Sequence, residues 1–326
     1  VRVSWNEIVF GPVPSRRLGR SLGINNVFMK YCSYSCIYCQ AGKTTNLTIE
    51  RTTFYEPEIL VDAVIRALEN VGNVDYVTFV PNGEPTLDAN LGTEIGVLKD
   101  TVDAKVAVIT NASLLYRRDV RRDLSSADLV SVKVDSSTES VYRVLNRPHP
   151  QLSLRTVLNG LRVFSREFQG DLITETMLVR GVNDTVEDAT GLLEILRSIE
   201  PRTAYVMLPV RPPAESWVSP PPADAVEAFL DVLRSGLGRN RVVLLGHLEP
   251  PHDIPRSAGN LDSILSHIRS VVHVHPLKLE YAVRLLMANA GVTEEDALRI
   301  LLNDPLLELI YYMGQRFLRL RSLQQR

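Results

Sequence analysis

The sequence is short of cysteine, of net charge and of long apolar runs, and each shortage excludes something. Of its 326 residues three are cysteines, and all three fall in one stretch, at Cys32, Cys36 and Cys39. An odd count with no cysteine elsewhere excludes the disulfide framework that staples small secreted domains. A formal charge of −2 gives no overall pull toward nucleic acid, although a local basic face remains compatible with it. No run approaches the roughly 20 consecutive apolar residues that cross a bilayer. The first residues, V-R-V-S-W-N-E-I-V-F-G-P, lack the apolar core of a secretory signal. No membrane association and a cytoplasmic location are the expectation. Hydrophobic content of 45% and charged content of 23% are those of an ordinary globular chain. Its length suits one large domain, or a large one with a small one.

What is present is the stretch 31–40, Y-C-S-Y-S-C-I-Y-C-Q. Three thiolates at C-x3-C-x2-C can ligate three irons of a [4Fe–4S] cube and leave the fourth iron without a protein ligand. A cluster that only stores or passes electrons normally has four thiolates. Two other readings stand beside this one. Two of the thiols could form a zinc half-site completed by His149 or another distant histidine. The cysteines could also be small buried apolar residues. Thiols meant for iron need a reducing compartment, which again indicates the cytoplasm.

The rest of the chain alternates. Helical periodicity marks 58–71, 91–102, 117–124, 152–168 and 187–199, and β-rich runs mark 21–27, 76–80, 105–109, 129–134, 172–179 and 203–208. Six strands alternating with helices form a parallel α/β sheet. Six are too few for a closed eight-stranded barrel, so the expectation is an open partial (β/α)6 barrel. Ligands in such folds gather at the carboxyl ends of strands. Polar residues stand there: Asn82, Gly83, Glu84 and Thr86; Thr110, Asn111 and Ser113; Lys133, Asp135 and Ser136; Arg180, Asn183 and Asp184; Arg211. Taken singly, Asn and Asp after strands are also common turn formers.

Other segments carry weaker signals. Arg16, Arg17 and Arg20, with Gly19 and Gly23, either hold an anion or form a solvated basic turn. The proline-rich loop 209–222 is either a lid over the open side of the site or a connection. A helix at 223–233 and a strand at 241–245 follow. His247, Glu249, His252 and Asp253 form a weak metal motif, better read as a loop. From residue 261 three helices (261–271, 276–290, 293–302) and a hairpin (306–312 with 315–320) suggest a small winged-helix-like domain. Its third helix is acidic, while the wing and tail carry Arg316, Arg319, Arg321 and Arg326. The module therefore docks either RNA through the wing or a protein. The expected division is 1–245 for the barrel, with its core at about 8–210, then a linker at 246–260 and the small domain at 261–326.

F-G-P-V-P-S-R-R-L-G-R-S-L-G-I, the cysteine loop and N-G-E-P-T together resemble the radical S-adenosylmethionine (radical SAM) enzymes. Over residues 8–210 they are similar to short proteins grouped with the wyosine-base synthases, which modify a tRNA guanosine. The resemblance implies that Cys32, Cys36 and Cys39 ligate the [4Fe–4S] cluster and that the methionine amine and carboxylate of SAM chelate the open iron. It places Tyr38 near the adenine and assigns Asn82, Gly83 and Glu84 to the methionine ammonium. Lys133 would meet the methionine carboxylate, and Thr110, Asn111 and Asp135 the ribose hydroxyls or that carboxylate. An electron from a reductant such as ferredoxin or flavodoxin would break the S–C5′ bond, and the 5′-deoxyadenosyl radical would abstract hydrogen. An RNA nucleoside is the preferred substrate class, with a protein or small molecule as the alternative. A third reading is a redox-sensing regulator that binds nucleic acid. The chain lacks the additional upstream cysteines of the wyosine synthases, and no residue matches their substrate-anchoring lysine.

Overall fold

The computed structural model describes residues 8–246 and 260–321. His247, Glu249, His252, Asp253 and Arg326 lie outside the described residues.

The described chain begins with a hairpin, β1 (Val9–Ser15) and β2 (Gly19–Ile24), and then forms a short parallel ladder, β3 (Tyr31–Cys32) with β4 (Asn46–Leu47). Helices and strands then alternate: α1 (Pro57–Val71), β5 (Tyr76–Phe79), α2 (Leu91–Thr101), β6 (Lys105–Thr110), α3 (Arg118–Leu124), β7 (Leu129–Lys133), α4 (Glu139–Asn146), α5 (Leu154–Glu167), β8 (Asp171–Met177), α6 (Val186–Ile199), β9 (Thr203–Met207), α7 (Ala223–Leu237) and β10 (Val242–Leu245). One eight-stranded sheet runs β1-β2-β5-β6-β7-β8-β9-β10, parallel throughout except for β1. It is the partial barrel the alternation implied. The helices cover its outside, each through one apolar stripe. On α1, Leu60, Ala63, Val64 and Ala67 are buried, Pro57 occupies the first turn, and Gly72 ends the helix at φ 72°. Each such leucine or valine contributes roughly 1.5–3 kcal/mol by leaving water.

Two strands flank the six that the sequence indicated. β1 contains Pro12 and Pro14, which an inner strand would not tolerate, and it takes an edge. Its Phe10 lies on Gly23 of β2, where a Cβ would sit 2.1 Å from the ring. β10 extends the other side, beside β9. Helix α4 was not evident in the sequence because only Tyr142, Leu145 and Asn146 turn inward and prolines follow it closely.

The last segment holds α8 (Leu261–Val274), β11 (Leu277–Lys278), α9 (Leu279–Ala290), α10 (Glu294–Leu302), β12 (Leu307–Tyr312) and β13 (Gln315–Leu320). Its sheet, β11-β13-β12, completes a winged-helix-like unit with a core of its own around Ile268, Leu286, Leu301 and Leu318. The helix expected at 276–290 starts later, because Leu277 and Lys278 pair with Leu318 and Phe317. Several contacts fasten this unit to the barrel, among them these. Val13 packs into its core, Asn82 Nδ2 donates to His273 O at 2.8 Å, and the Tyr312 hydroxyl donates to Pro209 O and Val218 O at 2.7 and 3.1 Å. Among the described residues no helix is long and apolar enough to cross a membrane.

A buried acid pair lies under the turn after β5. Asp88 receives Asn26 Nδ2 at 3.1 Å and Asn90 N at 2.9 Å. Glu94 on α2 is fully buried; burial first, and the Asp88 charge second, push its pKa up to about 9. The folded protein therefore holds a proton that the unfolded chain, with an ordinary value of 4.5, has lost. Stability from this site is complete below that value and falls as the pH rises toward 9. Glu94→Gln should raise the unfolding free energy at pH 8 by about 1–3 kcal/mol and leave it unchanged near pH 4. Urea titrations at the two pH values test this; equal effects at both would refute it.

Candidate active site at the cysteine loop

The cysteine loop is held by backbone hydrogen bonds from several elements. Glu84 N donates to Tyr31 O at 3.0 Å and Lys30 N to Asn82 O at 2.8 Å, tying the loop to the turn after β5. Ser35 N and Ile37 N donate to Asn146 O and Leu145 O at the end of α4, both at 3.0 Å. His149 N donates to Ser33 O at 2.8 Å, and Glu215 N, from the proline-rich loop, to Ile37 O at 3.0 Å. Gly83 is required by this seating. A Cβ there would stand 2.1 Å from Tyr31 O and 2.9 Å from Val27 Cγ2. The close approach that glycine permits is thus to the cysteine loop itself.

Each thiol receives a side-chain N–H donor from a different part of the chain, and Cys32 also receives Tyr34 N at 3.5 Å. Asn111 Nδ2 is 3.6 Å from Cys32 Sγ, Asn146 Nδ2 is 3.6 Å from Cys36 Sγ, and Lys30 Nζ is 3.4 Å from Cys39 Sγ. Lys30 has a left-handed backbone, φ 64°, and also donates to Gly42 O at 2.7 Å. Burial pushes the Cys36 thiol up to about 12 and raises that of Cys32 as well. Those two thiols are therefore held protonated, and a metal that bound them would release the protons. Among the described residues no three His, Cys, Asp or Glu side chains converge on a point suited to a single ion. His149 Nδ1 instead accepts from Gln151 N at 3.4 Å. The thiols of a cube bind separate irons and need no such convergence. The donor set of three thiols, each with an N–H partner, fits an iron–sulfur cluster.

Two buried carboxylates organise the surroundings. Glu84, 1% exposed, accepts from Thr86 N at 3.1 Å, Thr86 Oγ1 at 2.6 Å and Thr110 Oγ1 with one oxygen, and from Asn111 N at 2.8 Å with the other. Burial raises its pKa, and these donors oppose the rise. Glu84 thereby joins the ends of β5 and β6, and Oε2 keeps a lone pair for a ligand. Arg51 braces the same turn, donating to Thr86 O at 2.9 Å and Asp88 O at 2.6 Å and pairing with Asp119 and Asp123. Asp135 accepts from the Tyr38 hydroxyl, from Asn146 Nδ2 at 2.8 Å and from Met177 N at 2.8 Å. Lys133 Nζ pairs with Glu175 at 3.0 Å and lies 5.6 Å from the centre of the Tyr38 ring.

Tyr38, Gly83, Glu84, Thr110, Asn111, Lys133 and Asp135 therefore all gather around Cys32, Cys36 and Cys39. Asn82 differs: its backbone reaches the loop, while its carboxamide turns to His273. Asn183 and Asp184 close their own turn, Asn183 by bonds to Val179 N, Met177 O and Asp135 O, and Asp184 to Gly181 N. Arg20 bonds Val71 O and Asn73 O and braces the sheet edge. Lys30 and Asn146 escaped the sequence reading. Lys30 has only its closeness to Cys32 as a signal, and Asn146 ends a helix that the sequence hides. Gly83→Ala should unseat the loop, so that iron and sulfide content after anaerobic reconstitution drops severalfold while the circular dichroism of the barrel persists; full cluster loading would refute this account of Gly83.

The radical SAM superfamily model matches residues 26–193. The chain is 40% identical over 312 residues to the UPF0026 protein MJ1312 of Methanocaldococcus jannaschii, covering 95% of both. It is 24% identical over 197 residues to the probable dual-specificity RNA methyltransferase RlmN of Thermotoga maritima, covering 58% of this chain and 55% of that protein. Among solved structures, TYW1 with a lysine-pyruvate adduct bound superposes with a TM-score of 0.51 at 15% identity, covering 74% of this chain and 86% of that one. That last likeness is one of fold. Family match and full-length relative agree with the three-thiol loop at the mouth of a partial barrel: this chain belongs to the radical SAM superfamily and is an enzyme of the kind that pairs an iron–sulfur cluster with S-adenosylmethionine.

Proposed function

We propose that the enzyme cleaves SAM reductively at one [4Fe–4S] cluster held by Cys32, Cys36 and Cys39, and that its substrate is a nucleoside within RNA. The observation that carries the chemistry is the loop of three thiols, each with its own N–H donor. When bound, the cluster supplies one electron to SAM, giving a 5′-deoxyadenosyl radical that takes hydrogen from the substrate. A small reductant such as ferredoxin or flavodoxin supplies that electron.

The chain's own residues bind, orient and shield. Donors on cysteine sulfur lower the charge density there and shift the potential of a bound cluster upward. Tyr38, fixed by Asp135, offers a ring beside the loop for the adenine. Glu84 Oε2 and the backbone of the turn at 82–84 face the methionine ammonium, and Lys133 and Asn111 offer donors to a carboxylate or ribose. The proline-rich loop covers the cysteine loop through Glu215, which also pairs with Lys43 at 3.2 Å and with Arg147 at 2.5 Å. Covering the site keeps water and competing hydrogen donors from a reactive radical.

RNA is favoured by the RlmN relative and by the winged-helix-like unit. A groove between α9 and the wing hairpin is lined by Lys278, Arg284 and Arg316 with Tyr281 and Tyr311; Glu280 lies among them and pairs with Arg316 at 2.9 Å, and Tyr311 is 70% exposed. Cations interleaved with an exposed aromatic ring suit phosphates and an unstacked base.

With reductant and SAM under anaerobic conditions, the wild type should release 5′-deoxyadenosine and Cys36→Ala should not. A fully loaded cluster that neither cleaves SAM nor changes its EPR signal on SAM addition would defeat the enzyme reading. Single-stranded RNA should bind with an affinity that falls as salt rises, and Tyr311→Ala should weaken it by about 1–3 kcal/mol. Absence of salt-sensitive RNA binding would move the substrate to a protein or small molecule.

A further inference from the structure

Among the described residues, three cations gather inside the barrel around few acids. Arg17 leaves the β1–β2 turn and enters the lumen, where it pairs with Glu175 on β8. Its Nη1 is buried and has no hydrogen-bond partner beyond that ion pair. The same carboxylate takes the Ser131 hydroxyl at 2.7 Å and Lys133 Nζ at 3.0 Å. One acid, 2% exposed, thus serves two cations. Asp135, already taken by Tyr38, Asn146 and Met177 N, adds its charge near Lys133 but makes no ion pair with either arginine.

Arg211, just past β9, is the third cation. Among the described residues its hydrogen bond is to Gln40 Oε1, at 3.2 Å, on the residue that follows Cys39. Among the described residues, the charges that act on it are those of Arg17 and Arg16, both positive. His275 reaches the same place from the winged-helix-like unit and adds no charge: burial, and then Arg211, hold its pKa down at about 3. A guanidinium cannot shed its proton to escape such a setting as a lysine can. A largely buried cation without an anion is costly, and the cost falls when a ligand supplies one. The planar fork of arginine is matched to the paired oxygens of carboxylate and phosphate.

We propose that Arg211 and Arg17 hold an anionic group of the substrate, a carboxylate or a phosphate, in the lumen beside the cysteine loop. This rests on the reading of that loop as the radical site. The anion has two possible sources: a phosphate of the RNA itself, or a small free acid that enters alone. Glu175 competes with it for Arg17.

The test is binding to the full chain with its cluster reconstituted, followed by calorimetry and by the apparent Tm at constant ionic strength. Inorganic phosphate and acetate are the probes, each with and without saturating SAM. Wild type should bind at least one of them with SAM present and gain in Tm. Arg211→Gln should weaken that binding by about tenfold or more, yet melt higher than wild type when no anion is added, since an uncompensated charge has gone. Glu175→Gln should bind the anion more tightly. Preference for phosphate indicates the nucleotide source, and preference for acetate the free acid. Three outcomes overturn the proposal: no anion response in the wild type, the same response in Arg211→Gln, or loss of the response once SAM is present, which would assign the cations to the cofactor's carboxylate. None of them bears on 5′-deoxyadenosine release, which reports on the radical site separately.

Discussion

The close backbone contact between Gly83 and Tyr31 is the constraint on which the remainder of the site depends. With no side chain at 83, the cysteine loop can lie against the turn after β5, and Glu84 N can reach Tyr31 O at 3.0 Å. That single approach fixes Cys32 against β6 and so brings Asn111 within reach of its sulfur. The other two cysteines follow from anchors farther along, at the end of α4 and on the proline-rich loop. The loop has little regular structure of its own, so its shape is borrowed from four neighbours.

Glu84 and Asp135 act as paired hubs in this scheme. Each is buried, and each spends most of its acceptor capacity on protein donors from adjacent strand ends. Buried carboxylates satisfied in this way hold geometry more firmly than they hold ligands. The ends of β5, β6, β7 and β8 are thereby locked together before any cofactor arrives. Such preorganisation suits a reaction whose intermediate would attack whatever hydrogen lay nearest.

Much of this was legible in the sequence. Six parallel strands, the helices between them and the convergence of their carboxyl ends follow from period and order, because the burial of one helix face and both sheet faces imposes them. The cysteine motif and N-G-E-P-T named the site. What stayed hidden depends on tertiary partners. Nothing in a spacing reveals that Asn82 faces His273, that Lys30 curls back to Cys39 through a left-handed turn, or that Arg17 and Arg20, three residues apart, go to the lumen and to the sheet edge respectively. The edge strand β1 was masked by its prolines, and β11 by the apolar run that also begins α9. The role of glycine at 83 was legible as a close approach, while the partner in that approach was visible only in three dimensions.

Asn82 has a consequence of its own. Its carbonyl receives Lys30 N at the start of the cysteine loop, and its carboxamide grips His273 O on α8. Tyr312 makes the matching link from the wing to the proline-rich loop, which in turn holds Ile37. The small unit and the cysteine loop are therefore joined twice through directional hydrogen bonds. Thermodynamic reciprocity then applies: whatever free energy a cargo docked on the wing contributes to seating the loop, a seated loop returns in full to the grip on that cargo. On the proposed function, recognition and readiness for radical chemistry would be one equilibrium read from two ends.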